Sequence, residues 1–126
     1  MIDINLFKIV ATPISFEDSL GAWVLEEMER DPGNKYNITQ ASERIKSAYD
    51  ERSVSLSLFN LSLKTVPEAI GRLTKLTSLN LDNNNLTSLP DWIGGLTVLE
   101  KLDLDGNRLT RFPEAIEELT ALRELD

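Results

Sequence analysis

The sequence predicts an α/β solenoid, a stack of short parallel strands with an α-helical cap at its N-terminal end. Two observations carry that prediction. From residue 53 onward one pattern returns every 23 residues, so that Leu56, Leu79, Leu102 and Leu125 share one position of successive units and Leu58, Leu81 and Leu104 share another. Ahead of it, residues 15–52 hold two stretches whose apolar side chains recur at helical spacing. A unit this short cannot bury its own apolar face and does so only by stacking on its neighbours.

Residues 1–14 alternate loosely, with Ile2, Ile4 and Leu6 on one side. They read as an edge strand or as a leader that orders on contact. Ser15, followed three residues later by Asp18, is a helix N-terminus signal, and Phe16, Leu20, Val24 and Met28 then recur every fourth residue with Trp23 beside them. A helix over about 16–30 is expected, stopped by the turn sequence Asp31-Pro32-Gly33-Asn34. A second helix is expected from an N-cap at Thr39 to about Arg52, with Ile38, Ala41, Ile45, Ala48 and Tyr49 along its stripe. Residues 15–52 therefore read as a two-helix cap and residues 53–126 as the repeats, the last one truncated.

Within each unit, strand residues are followed by a polar rung and a return segment. Asn84 and Asn107 occupy the rung, where an amide can both donate to and accept from the backbone of neighbouring turns, while the first unit has Leu61 there. The return segments repeat as Val66-Pro67, Leu89-Pro90 and Phe112-Pro113, then Ile70, Ile93 and Ile116, then Leu73, Leu96 and Leu119. Proline fixes φ near −65° and donates no hydrogen bond, so it suits a convex wall of turns or 3₁₀ helix. Trp92 stands where the flanking units have Ala69 and Ala115 and reads as a filler over small neighbours.

These residues resemble the 23-residue class of leucine-rich repeats, of the form LTxLPxxIxxL, over about residues 53–126. The tryptophan-bearing first helix, the A-x-x-x-I-x-x-A-Y pattern of Ala41, Ile45, Ala48 and Tyr49, and Thr65-Val66-Pro67 resemble the amino-terminal region of bacterial type III secreted ubiquitin ligases. That second resemblance implies helices that cap the repeats, repeats that select host proteins, and a catalytic cysteine in a separate domain. This chain has no cysteine.

Twenty-one acidic against thirteen basic residues give a net charge of −8, opposite to what a phosphate backbone attracts, so nucleic acid is not an expected partner. With neither cysteine nor histidine, the chain lacks the thiol nucleophile, the usual general base, zinc-type ligands and disulfides. No cofactor or metal is expected; Asp103-Leu104-Asp105-Gly106-Asn107 shares part of a calcium-loop pattern but not its first acid or closing glutamate. No segment has the apolar length of a membrane span or the unbroken apolar core of a signal peptide. Cysteine-free repeats suit a reducing compartment, which points to a cytoplasmic location or, through the ligase resemblance, to secretion by a bacterium into a host cytosol.

A non-enzymatic protein-binding module is the expected function. Strand side chains alternate, so the residues between the inward leucines form columns on the concave face: Ser55, Ser78, Lys101 and Glu124; then Ser57, Asn80 and Asp103; then Phe59, Asp82 and Asp105. These ten are the candidate partner-binding residues. Asp82 and Asp105 are expected to repel one another and to be relieved by a basic segment of a partner protein, or to form a solvated face. Phe59 reads either as an exposed anchor or as a residue tucked beneath the helices. The chain ends at Leu125-Asp126 within the fourth strand, which leaves Leu102, Leu104, Leu119 and Leu122 beside an expected apolar edge suited to self-association or to further chain.

Overall fold

The computed structural model describes residues 14–126, so the expectation for the leader falls almost wholly outside the described residues. Helix α1 spans Phe16–Arg30 and helix α2 spans Lys35–Asp50, joined through a 3₁₀ turn at Pro32–Asn34. Ser15 caps α1 by accepting the Asp18 amide at 3.1 Å. Helix α2 starts four residues before the expected Thr39. Asn34 is its N-cap residue, and Thr39 lies inside the helix with its hydroxyl donating back to the Lys35 carbonyl at 2.9 Å. A hydroxyl can bond the preceding turn as readily as it can cap, so a lone threonine does not mark a helix start.

The buried stripe of α1 is Phe16, Leu20, Trp23 and Glu27, whereas Val24 and Met28 are only half-buried at its margin. The stripe of α2 is Ile38, Ala41, Ile45 and Ala48; Tyr49 is exposed and stacks flat on Phe16, with ring centroids 3.8 Å apart. Both stripes face the first repeat. Trp23 Nε1 donates to the Thr65 hydroxyl at 2.9 Å, and that hydroxyl donates to Glu27 at 2.7 Å. Glu27, only 1% exposed, is also paired with Arg30. A buried carboxylate is tolerated because each partner is in place.

Four strands follow, β1 (Ser55–Ser57), β2 (Ser78–Asn80), β3 (Lys101–Asp103) and β4 (Glu124–Leu125), parallel and in sequential order. Their register advances by one whole unit, pairing Ser55 with Ser78, Ser78 with Lys101 and Lys101 with Glu124. The return segments carry 3₁₀ helices at Glu68–Arg72, Asp91–Gly95 and Glu114–Glu118, each entered through an extended proline. Leu56, Leu58, Leu79, Leu81, Leu102 and Leu104 fill the core with Ile70, Ile93, Leu73 and Leu96. Trp92 packs over Gly71, whose absent Cβ would lie 3.2 Å from the Trp92 Cβ, and so rests on a glycine of the preceding turn.

The asparagine rungs hold successive turns together. Asn84 Oδ1 accepts the Leu61 and Leu63 amides at 3.2 and 3.0 Å, and its Nδ2 donates to the Leu58 and Leu81 carbonyls at 2.9 and 3.0 Å. Asn107 accepts the Leu86 amide and donates to the Leu81 and Leu104 carbonyls. The first repeat carries Leu61 at this position, and there the helical turn bonds the backbone instead: Asn34 Nδ2 donates to the Leu61 and Ser62 carbonyls at 3.0 and 3.1 Å. At the opposite end Leu102, Leu104 and Leu119 are buried, Leu122 is half-buried and Leu125 is 42% exposed. The apolar edge is therefore narrower than the sequence pattern suggests, because β4 pairs along β3 and covers part of the third unit.

Candidate functional site

The ten candidate residues lie on the open face of the sheet, brought side by side by the strand register. Leucines at the alternate positions point into the core, which forces their neighbours outward. The first column runs Ser55, Ser78, Lys101, Glu124 and the second Ser57, Asn80, Asp103. The third lies just past the strand ends, and its alignment is fixed by the Asn60 amide donating to the Asp82 carbonyl at 3.0 Å and the Asn83 amide to the Asp105 carbonyl at 2.8 Å. Phe59 is 47% exposed, so it does not tuck beneath the helices.

The charged members differ from the expectation of a uniformly solvated acidic face. Asp103 is only 8% exposed and Lys101 Nζ lies 3.9 Å from its Oδ2 and 3.5 Å from Glu124 Oε2. Burial raises the Asp103 carboxyl above its ordinary range despite Lys101, with Asp82 and a side-chain hydrogen bond to Asp126 adding to the rise. Lys101 is raised in turn, chiefly by Asp103 and then by Glu124. Asp103 is thus part of the scaffold of the face and not a free contact. Alternation sets Asp103 outward between the inward Leu102 and Leu104, so the strand pattern alone does not signal its burial.

Asp82 and Asp105 are related by more than repulsion. Asp82 Oδ1 accepts the Asp105 backbone amide at 2.8 Å, so one oxygen of Asp82 is spent on the next turn and the other remains available. Among the described residues neither carboxylate has a cationic side chain within ion-pair distance. Asn80 Oδ1 is likewise engaged, accepting the Asp82 amide at 2.9 Å.

One contributor to this face comes from the helices. Arg44 of α2 donates from Nη1 to the Ser57 carbonyl at 3.2 Å, and a hollow beside it is lined by Arg44, Ser47, Ser53, Ser55 and Ser57 with Glu43 and Glu51. The only sequence signal for Arg44 is its position on the polar face of α2 one residue before Ile45. No cluster of side chains suited to hold a metal ion occurs among the described residues, and no described helix is long and apolar enough to cross a membrane.

A sequence profile of the leucine rich repeat family matches residues 54–109 and, in an overlapping copy, 74–126. Among solved structures, a leucine-rich-repeat protein of Leptospira interrogans is similar, at 43% identity and a TM-score of 0.51 over 52% of this chain. The chain spans 17% of the length of that protein. No curated protein sequence matches. Since the profile covers everything from residue 54 to residue 126, more than half of the chain, the protein belongs to the leucine rich repeat family.

Proposed function

We propose that the protein is a non-enzymatic binding module in which the helical pair caps a solenoid of 23-residue repeats and the open, concave sheet face takes a basic segment of a partner protein. The observation that carries the reading is the pair Asp82 and Asp105, two accessible carboxylates aligned on one face with no cationic partner among the described residues. Repeat domains of this family generally mediate protein–protein interaction, and an aligned pair of unneutralised carboxylates attracts a cationic segment and repels an acidic one. Ser55, Ser57, Ser78 and Asn80 supply uncharged donors and acceptors beside it, and Phe59 an apolar contact.

The test uses peptides selected against the whole chain from a random display library. Amide shifts on binding should concentrate on residues 55–59, 78–82, 101–105 and 124. Asp82→Asn combined with Asp105→Lys should weaken the selected peptides by about tenfold and flatten their salt dependence. Because Asp103 is buried, it is a poor choice for this test: reversing its charge would disturb the fold as well as the face. Shifts that map elsewhere, or a double variant that binds as before with the same salt slope, would overturn the reading.

An alternative reading is the substrate-recognition region of a bacterial effector ubiquitin ligase, supported by the tryptophan-bearing helix that hydrogen-bonds Thr65. In that case catalysis resides in a cysteine-bearing domain encoded in the same reading frame, which sequencing of the locus decides, and the protein acts in a host cytosol.

A further inference from the structure

We infer that the column formed by Phe59, Asp82 and Asp105 recognises an arginine side chain of the partner segment in preference to lysine. The inference rests on the reading of the sheet face as the binding surface and specifies its chemistry. Phe59 is the one aromatic in the three columns, and it is 47% exposed. The backbone bond from Asn60 to the Asp82 carbonyl sets Phe59 and Asp82 on neighbouring rungs, roughly 4.8 Å apart as adjacent strands are. A cation over an aromatic ring is held when it lies within about 6 Å of the ring centre. A group stacked on Phe59 therefore has its edge beside the Asp82 carboxylate.

The geometry selects between the two cationic side chains. A guanidinium is planar and weakly hydrated, so it can lie flat on the ring while its edge N–H groups reach sideways to a carboxylate. An ammonium is a compact, strongly hydrated point charge that can do one of these at a time. Asp82 presents a single free oxygen because Oδ1 accepts the Asp105 amide, and this same bond holds the carboxylate in place before the partner arrives. Asp105, one rung further and exposed, adds charge on the far side. The column contains no cation of its own: Lys101, the nearest basic residue in the columns, is turned to Asp103 and Glu124.

The experiment titrates the isotopically labelled chain with short glycine–serine peptides carrying two arginines at alternate positions, and with the same peptides carrying two lysines or two citrullines. The arginine peptide should shift the amides of Phe59, Asn60, Asp82, Asn83 and Asp105 and bind about fivefold more tightly than the lysine peptide. The uncharged citrulline peptide should not bind. Phe59→Leu, at a half-exposed position and therefore compatible with folding, should remove the preference for arginine while leaving charge-driven binding. Asp82→Asn keeps an oxygen for the Asp105 amide and should weaken both cationic peptides. Equal affinity for arginine and lysine, or a preference that survives Phe59→Leu, overturns the inference while leaving the sheet face as the binding surface. Shifts confined to other surfaces, or no binding at all, overturn both.

Discussion

Replacing Asn84 by leucine, the residue that the first repeat carries at the same rung, should cost about 3–5 kcal/mol of stability. Asn84 is 3% exposed, and its amide is the partner of three buried backbone groups that have no other hydrogen bond between turns: the Leu58 carbonyl and the Leu61 and Leu63 amides. The Leu81 carbonyl is spared because Asn107 also donates to it. Each orphaned group costs about 1–3 kcal/mol, and burial of the new leucine returns about 1–2 kcal/mol. A domain of ordinary stability holds only about 5–15 kcal/mol, so the variant should unfold at much lower urea and melt roughly 10–20 °C earlier. Asn107→Leu makes the control. Its site is half-buried, water can reach the freed Leu86 amide and Leu104 carbonyl, and the loss should stay near about 1–2 kcal/mol. Urea unfolding followed separately through Trp23 in α1 and Trp92 in the second turn measures both. A loss below about 1 kcal/mol for Asn84→Leu, or a greater loss for Asn107→Leu, would refute the argument that the rung amide is irreplaceable between two repeats.

Thr65→Val keeps the side-chain shape but leaves Trp23 Nε1 and the buried Glu27 each short of a partner, and should cost about 2–3 kcal/mol with a change in Trp23 emission. Gly106 has φ of +72° and a Cβ there would sit 2.2 Å from Asn83 Oδ1, so Gly106→Ala should lose about 1–2 kcal/mol in thermal melts, part of it recovered when Asn83, itself at a φ of 55°, is also made glycine. Asp103 holds its proton more tightly folded than unfolded, so its ionisation subtracts stability as pH rises from the ordinary value of 3.8 through the raised folded value. Asp103→Asn should abolish that decline, making the variant's advantage over the parent grow with pH across the window and stay level above it; urea midpoints measured from about pH 3 to pH 7 would show a constant difference if the idea were wrong.

Much of this fold was legible because its physics is periodic. A column of leucines at one spacing fixes strand register, and the register aligns the seven candidate residues that lie on strands in the two columns that alternation predicts. What alternation does not encode is how deeply a surface position is covered. Asp103 and Lys101 are neighbours of the same kind in sequence, yet one is buried and the other exposed, because coverage depends on the third dimension of the stack. The start of α2 is not legible locally: Asn34 is engaged with the first repeat's carbonyls, 27 residues away in sequence, and the helix begins directly after it. Glu27 shows the same limit. It sits four residues after Trp23 on the inward stripe, a visible signal, but only the distant Thr65 makes a carboxylate tolerable there.

Among the described residues, the hydrogen bonds and ion pair that join the helices to the repeats reach only the first unit, at Ser57, Leu61, Ser62, Lys64 and Thr65. Excision of residues 76–98, one whole unit, would carry Lys101 to the place of Ser78 opposite Ser55 and Asn107 to the place of Asn84, with every rung still bonded and the joint unaltered. Insertion of a unit would do the reverse. The length of the open face and the number of its acidic rungs can therefore drift in whole-unit steps while an aspartate stays on the rung beside Phe59 and the helical joint is untouched, so slippage of the gene alone is enough to resize this face.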